Sequence, residues 1–467
     1  MTRIVDEGAD LLGIDNMHVM HGFSPLRKQA QSPIVVIDGA EGVFLRDSTG
    51  RRFLDAAAGL WCANIGYGRS ELVSAATAQM SKLSYSHTFS NFSNEPMIRL
   101  TERILAHAPA NMSRIIFAGS GSEANDTQIK IVRRYNNVRG KPAKKKIIAR
   151  NASYHGSTLG AASLSGLPMV HRTFDLPLPG ILHTLAADYR RRPTEISSPE
   201  QFSRYLADDL ERLILSEGPD TVAAFIAEPI TAASGVLFPP AGYFREIHRV
   251  LRKYDVLLIA DEVVTGFGRT GAWFASPDLE AEPDLMTIAK GLTSGYFPMS
   301  GCIVSKRVSE LLYSETDADG MFAHGFTFSG HPVGAAVALA NITVLERERL
   351  PENAQSVGDY LIGCLREELS DHELVGDIRG KGLLIGIECE ADRGARKPFA
   401  DPRSASSLLS KACFDQGLLV RGAHGRVLAA LAPPLILTRS EADEIVSRLK
   451  GALKQFANEL TASDLRK

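Results

Sequence analysis

The chain has 467 residues, 44% hydrophobic and 23% charged, and its 52 Lys and Arg nearly balance 54 Asp and Glu. That balance leaves no electrostatic footprint for nucleic acid or an anionic membrane surface, and the composition excludes disordered and fibrous classes. The length suggests roughly two to three domains, or one large domain with a satellite.

The five cysteines, Cys62, Cys302, Cys364, Cys389 and Cys413, are scattered and never form a CxxC pair. An odd, unclustered set argues against a disulfide framework or a structural zinc site and suggests a reducing cytoplasm. The stretch MTRIVDEGADLLGID lacks a long apolar segment. No run approaches the roughly 18 apolar residues of a membrane span, so a cytoplasmic protein without a membrane partner is expected.

In chain order, residues 34–55 (IVVIDGAEGVFLRDSTGRRFLD) read as two strands joined by a Gly-containing turn. Six short apolar runs come next, at 115–118, 147–149, 222–227, 256–260, 285–289 and 302–304, separated by longer amphipathic stretches. This alternation predicts an α/β fold with a mostly parallel central sheet and helices on both faces. From about residue 335 an Ala-rich helix leads into RGKGLLIGIECE, another helix, GLLVRG and LAPPLIL, which reads as a smaller α+β domain. The expected division is an N-terminal segment (1–70) contributing to the small domain and the active site, a large domain (71–330) and a C-terminal small domain (331–467). The KPAKKK run at 141–146 and RRR at 190–192 read as solvated loops.

The polar tails of the apolar runs carry the chemistry. GSGSEAND trails the first, NASYHG the second, EP the third, DEVVTGFGRTG the fourth and KGLTSG the fifth. Ligands of open parallel sheets bind outside the carboxyl ends of the strands, so these tails are expected to converge on one pocket. Among them Lys290 ends a run that should be buried, where an ammonium is costly unless it is paired or loses its proton. An aldehyde cofactor such as pyridoxal 5'-phosphate (PLP) needs such a lysine, together with a carboxylate beside its pyridine nitrogen, which Asp261 on the neighbouring run supplies.

The cofactor's phosphate needs backbone N–H donors at a helix start, which GSGSE before ANDTQIKIVRRY offers. That stretch has neither the dinucleotide fingerprint nor the Walker lysine. Its alternative reading is a glycine-rich turn with Ser122 as helix N-cap. Tyr154 stands where a ring could stack, and Val263 could pack the opposite face. Glu228 either caps a helix or holds a nearby arginine.

Together SGSEAND, YHGST, AEPI, LIADEVVTGFGRTG, TIAKGLTSGYFPMSG and GFTFSGHPVGAA resemble the class III aminotransferases. These are PLP-dependent enzymes of fold type I and include the omega-amino acid:pyruvate aminotransferases. The resemblance runs over essentially the whole chain. It implies an internal aldimine at Lys290, a ring nitrogen held by Asp261, a phosphate on Gly121 and Ser122, and a ring between Tyr154 and Val263, with Glu228 beside it. It further implies a homodimer, or a tetramer built on it, in which Phe326 and Thr327 reach the neighbouring subunit's phosphate.

HGFSP, AAAGLWCANIGYGR and SHTFSNF resemble the pyruvate-accepting subgroup, where Phe23, Trp61 and Phe89 would line an apolar substrate pocket with Tyr154. Trp61 equally suits a core or an interface. GLLVRGAHGRVLAALAPPLIL resembles the segment carrying a mobile carboxylate-binding arginine, Arg421, with Arg426 as rival. Thr231 replaces a glycine-rich stretch and is expected to narrow the pocket. The implied reaction is a ping-pong transfer from an omega-amino acid or primary amine to pyruvate. The alternatives are an aminomutase or decarboxylating aminotransferase on the same fold, and a cofactor-free binding protein.

Overall fold

In the computed structural model, which describes residues 11–29, 34–314 and 320–462, the N-terminal part forms β1 (Ile37–Glu41), β2 (Phe44–Asp47) and β3 (Arg52–Asp55). These are three strands where two were expected. A second reversal occurs at Gly50, whose φ of +85° suits glycine, and Asp47 fastens it by accepting from the Thr49 and Arg51 backbone N–H groups at 2.9 and 3.0 Å.

The central sheet comprises β4 (Met112–Ala118), β5 (Lys146–Arg150), β6 (Ile181–Thr184), β7 (Val222–Ala227), β8 (Leu257–Asp261), β9 (Leu285–Ile288) and β10 (Ser300–Ser305). Its order is β4-β10-β9-β8-β7-β5-β6. All six apolar runs are strands here. The seventh, β6, is an edge strand with half-buried middle residues, so it carries no uninterrupted apolar run to read.

Pairing is parallel from β6 through β5, β7 and β8 to β9, whereas β10 runs antiparallel to both β9 and β4. The connection from β9 to β10 is too short for a crossover helix, so the chain returns antiparallel. As a result Ser300 and Gly301 begin β10 beside Ala118 and Ile288, at the carboxyl ends of β4 and β9.

Alternation along the strands fills two apolar layers. Ile147 and Ala149 pack with Ile131, Val132 and Tyr135 of the helix Gly121–Val138, while Ile148 joins Phe202 and Leu206 of the helix Pro199–Glu217 and Ile247 of the helix Tyr243–Lys253.

The C-terminal part contains β11 (Val375–Lys381), β12 (Leu384–Cys389), β13 (Leu418–Leu419), β14 (Arg421–Ala423) and β15 (Arg426–Leu431). Four of these make an antiparallel sheet in the order β11-β12-β15-β14, and β13 instead pairs parallel with β3 through Leu418 and Leu54. The end of the chain thereby completes the N-terminal sheet.

The two basic runs are solvated loops only in part: Lys141, Lys145 and Arg191 are exposed, but others are tied down. Lys144 is 2% exposed and its Nζ donates to the Pro219 and Tyr254 carbonyls at 3.1 and 2.9 Å, while Lys146 opens β5. Arg190 pairs with Glu390 at 2.5 Å. Long aliphatic stems let these cations lie along apolar surface and still reach oxygen acceptors. No helix among the described residues is long and apolar enough to cross a membrane.

Candidate active site

Asp261 ends β8 opposite Thr287 of β9, and Lys290 comes just after β9 in a short turn with φ +42°. A non-glycine residue in that region needs its surroundings to hold it. Asn341 does so by donating to the carbonyls of Gly291 and Leu292 at 2.8 and 2.9 Å. Burial lowers the Lys290 amine's pKa; Asp261, Cys62 and Glu228 oppose the shift, and the Arg421 charge adds to it. A lysine shifted this way is unprotonated more of the time near neutral pH, so more of it is available as nucleophile or general base than in water.

Asp261 is held on three sides. Its Oδ2 accepts from His155 Nδ1 at 2.7 Å and from Asn125 Nδ2 at 2.9 Å, and its Oδ1 accepts from the Val263 N–H at 3.1 Å. Sequence reasoning misses both His155 and Asn125. They lie inside the YHGST and SGSEAND motifs, but nothing local directs either toward a carboxylate more than a hundred residues on. His155 Nε2 is buried without a hydrogen-bond partner.

The helix Gly121–Val138 is capped by Ser120, not by Ser122: the Ser120 hydroxyl accepts from the Glu123 N–H at 3.2 Å. Gly121 and Ser122 therefore occupy the first turn, where backbone N–H groups have no partner within the helix. A Cβ on Gly121 would lie 3.3 Å from Val263 Cγ2, so glycine permits this close approach. The Ser122 hydroxyl accepts from the Ser157 N–H at 2.9 Å, and Ser157 Oγ lies 3.0 Å from the Tyr154 hydroxyl. This cradle brings Gly121, Ser122, Tyr154 and Val263 together.

Glu228 caps no helix. Its Oε1 accepts from the Tyr154 N–H at 3.2 Å and its Oε2 is buried without a hydrogen-bond partner, 3.9 Å from Arg150. Burial raises its carboxyl pKa against the opposing charges of His155 and Arg150. Arg150 donates to the Glu228 carbonyl at 2.6 Å and to the Thr231 hydroxyl at 2.9 Å, so the Thr231 hydroxyl is committed to a buried arginine.

The aromatic residues have different neighbours within one chain. Phe23 meets the edge of Tyr154 at 6.3 Å, and Trp61 packs on a cluster that includes Ile230, Val236 and Leu428. Phe89 lies instead beside His87 and Gly325. Near it, Phe326 donates its N–H to Ser329 Oγ at 3.0 Å, and the Thr327 carbonyl accepts from the Tyr85 hydroxyl at 2.9 Å. Phe23 and Phe89 are 69% and 46% exposed, a degree that apolar rings rarely keep once a surface is covered.

The two arginines have different surroundings. Arg421 is exposed and has no ion-pair partner among the described residues, while Arg426 is buried between Glu388, at 2.6 Å, and Asp188. Burial alone would raise the Glu388 pKa, but Arg426 and Arg379 outweigh it and hold the carboxyl below its usual range. Arg426→Ala is expected to destabilise the fold by roughly 3–5 kcal/mol by leaving buried carboxylates unpaired. Denaturant unfolding at neutral pH measures this. Because the native Glu388 pKa is depressed, the deficit is full above the unfolded-state value and shrinks as pH falls through the folded one.

With this geometry established, the chain can be set beside known proteins. The family model described as aminotransferase class-III matches residues 26–453. The diaminobutyrate–2-oxoglutarate transaminase of Halomonas elongata is 46% identical over 97% of both chains, and the putrescine–pyruvate aminotransferase of Pseudomonas aeruginosa is 43% identical over 94% of this chain and 95% of that one. An omega transaminase from Pseudomonas jessenii, solved in complex with PMP, superposes with a TM-score of 0.94 at 40% identity, covering 97% of this chain and 100% of that one.

A lysine and an aspartate at the ends of adjoining strands, facing a helix start, define a PLP-dependent transferase of fold type I. The chain belongs to the class III aminotransferases, which use PLP to move an amino group from an amine donor to a keto acid. The residues present suit that cofactor: the first-turn N–H groups suit a phosphate, and the Lys290 amine has no hydrogen-bond partner among the described residues.

Proposed function

We propose that the enzyme transfers an amino group from an omega-amino acid or primary amine to pyruvate in a ping-pong cycle. The observation that carries this reading is the desolvated Lys290 amine set against the anchored Asp261 carboxylate. When bound, PLP supplies a carbonyl that condenses with amines and a ring that accepts the electrons left by a departing proton.

Each residue then has a task. Gly121 and Ser122 hold the phosphate, Tyr154 and Val263 confine the ring, and Asp261 keeps the ring nitrogen protonated. Lys290 would anchor the cofactor and, once displaced, its free amine would take the proton from the donor carbon as general base and deliver it to the cofactor carbon. Glu228 fixes Tyr154 through its backbone N–H. Phe23 and Trp61 line the donor pocket, with Thr231 limiting its depth.

Two copies complete the site in this reading. Phe89, Phe326 and Thr327 then serve the neighbouring copy, so the working unit is a homodimer or a tetramer built from it. The free cysteines support a cytoplasmic location.

The reading of the acceptor rests on the arginines. Arg150 is committed to Glu228 and Thr231, and Arg426 to Glu388 and Asp188, which leaves Arg421 to receive a substrate carboxylate. A guanidinium such as that of Arg421, without an ion-pair partner among the described residues, suits a monocarboxylate such as pyruvate, in keeping with the acceptor in the Pseudomonas aeruginosa relative's name. The Halomonas relative is named for 2-oxoglutarate, so that acid is the rival acceptor.

The test is a split half-reaction. Amines are added to PLP-loaded protein without an acceptor while the visible cofactor band is followed, and pyruvate or 2-oxoglutarate is added afterwards. Loss of the band and its return with pyruvate, with alanine formed, is the expected result. Recovery with 2-oxoglutarate alone would overturn the pyruvate assignment, and carbon dioxide release would point to the decarboxylating alternative. Arg421→Ala is expected to raise the KM for pyruvate about 10- to 100-fold, the value of a lost charge-assisted contact, and to leave the half-reaction of an uncharged amine within a few-fold.

A further inference from the structure

We infer that Asn125 is a positioning residue for the amino transfer: it aims the Asp261 carboxylate so that Oδ1 is the oxygen offered to the cofactor's ring nitrogen. The inference rests on the reading that Asp261 holds that nitrogen.

Asn125 is fully buried, and three of its amide's hydrogen-bonding positions are used. Its Nδ2 donates to the His155 carbonyl at 2.7 Å and to Asp261 Oδ2 at 2.9 Å, and its Oδ1 accepts from the Thr287 hydroxyl at 2.7 Å. The Thr287 hydroxyl in turn accepts from Gln128 Nε2 at 3.3 Å, so its single proton is directed to Asn125. Turning the amide over would set an oxygen against both a carbonyl and a carboxylate. Its orientation is thereby determined by its partners.

The consequence falls on Asp261. His155 and Asn125 both donate to Oδ2, whereas Oδ1 receives only the Val263 backbone N–H. A carboxylate oxygen accepts about two hydrogen bonds along its lone pairs, so Oδ2 is saturated and Oδ1 keeps one direction free. A proton on the ring nitrogen fits that direction. Asn125 also grips the backbone that carries His155, so one amide fixes both the carboxylate and its second donor.

Thr287 gives a way to separate positioning from packing. It faces Asp261 across β8 and β9 and touches the carboxylate only through Asn125 in the hydrogen bonds seen. Thr287→Val removes the hydroxyl that orients the amide while keeping the volume, and Asn125→Ala removes the amide itself.

The experiment loads wild type, Asn125→Ala, Thr287→Val and Asp261→Asn with PLP labelled at the ring nitrogen. Protonation of that nitrogen is followed by NMR across pH, beside kcat and KM in the half-reaction. Expected is a ring nitrogen that loses its proton at lower pH in Asn125→Ala, and less so in Thr287→Val. In Asn125→Ala kcat should fall roughly 10- to 100-fold, as for one charge-assisted hydrogen bond, with KM for the amine changed less than about threefold. If Asp261→Asn shifts the nitrogen and both other variants leave it at the wild-type value while only lowering thermal stability, Asn125 is structural and the inference is overturned. If Asp261→Asn itself leaves the nitrogen unmoved, the reading of Asp261 falls and takes this inference with it.

Discussion

Lys290→Ala is expected to leave a folded protein whose transamination falls by about 10⁴-fold or more, since one substitution removes both the covalent anchor and the general base. Single-turnover kinetics with a reactive amine measure the loss, with circular dichroism as the check on folding. A small added amine such as methylamine should restore part of the rate. Undiminished turnover would remove Lys290 from the mechanism.

The same substitution has a stability signature with a definite sign. The folded protein lowers the Lys290 pKa, first through burial, so the unfolded chain binds the proton more tightly. Native stability of the cofactor-free enzyme is therefore reduced below the unfolded value, roughly 10.4 for lysine. The penalty is fully developed below the folded pKa and fades as pH rises toward the unfolded one. Lys290→Ala without cofactor should be at least as stable as wild type near neutrality, and the difference should shrink as pH rises toward about 10 and be gone above it.

Asp261→Asn is the second large effect. Asparagine keeps the shape but cannot accept from both His155 Nδ1 and the Asn125 amide while also presenting an acceptor to a ring nitrogen. Its NH₂ must face one of these donors. Removing one member of a buried charged pair costs roughly 3–5 kcal/mol, which corresponds to a kcat lower by about 10²- to 10⁴-fold. KM for the amine should change little, because the lost interaction acts on the proton-transfer step. A kcat within tenfold of wild type would show that the carboxylate is not what keeps the ring electron-withdrawing.

These effects converge on residues whose positions are partly legible in the amino-acid order alone. Apolar runs mark β4, β5, β7, β8, β9 and β10, because strands buried on both faces tolerate little else. The polar tails after those runs mark the carboxyl ends, which is why Asp261 and Lys290 can be paired from the sequence. A serine beside a glycine-rich turn signals a helix start, but choosing between Ser120 and Ser122 requires the backbone path.

Other features depend on contacts between distant segments. The reversal of β10, the commitment of Arg426 to Glu388 and Asp188, and the burial of Lys144 all result from which strands and loops become neighbours. The sequence by itself determined six of the seven central strands, the family and the pairing of Asp261 with Lys290 at two strand ends, since hydrophobic periodicity and short motifs are local properties of the chain. Only the tertiary structure decided that His155 and Asn125 meet on one oxygen of Asp261. Hydrogen-bond partners are chosen by strand order and register, and a carboxylate's three-dimensional surroundings leave no period in the sequence.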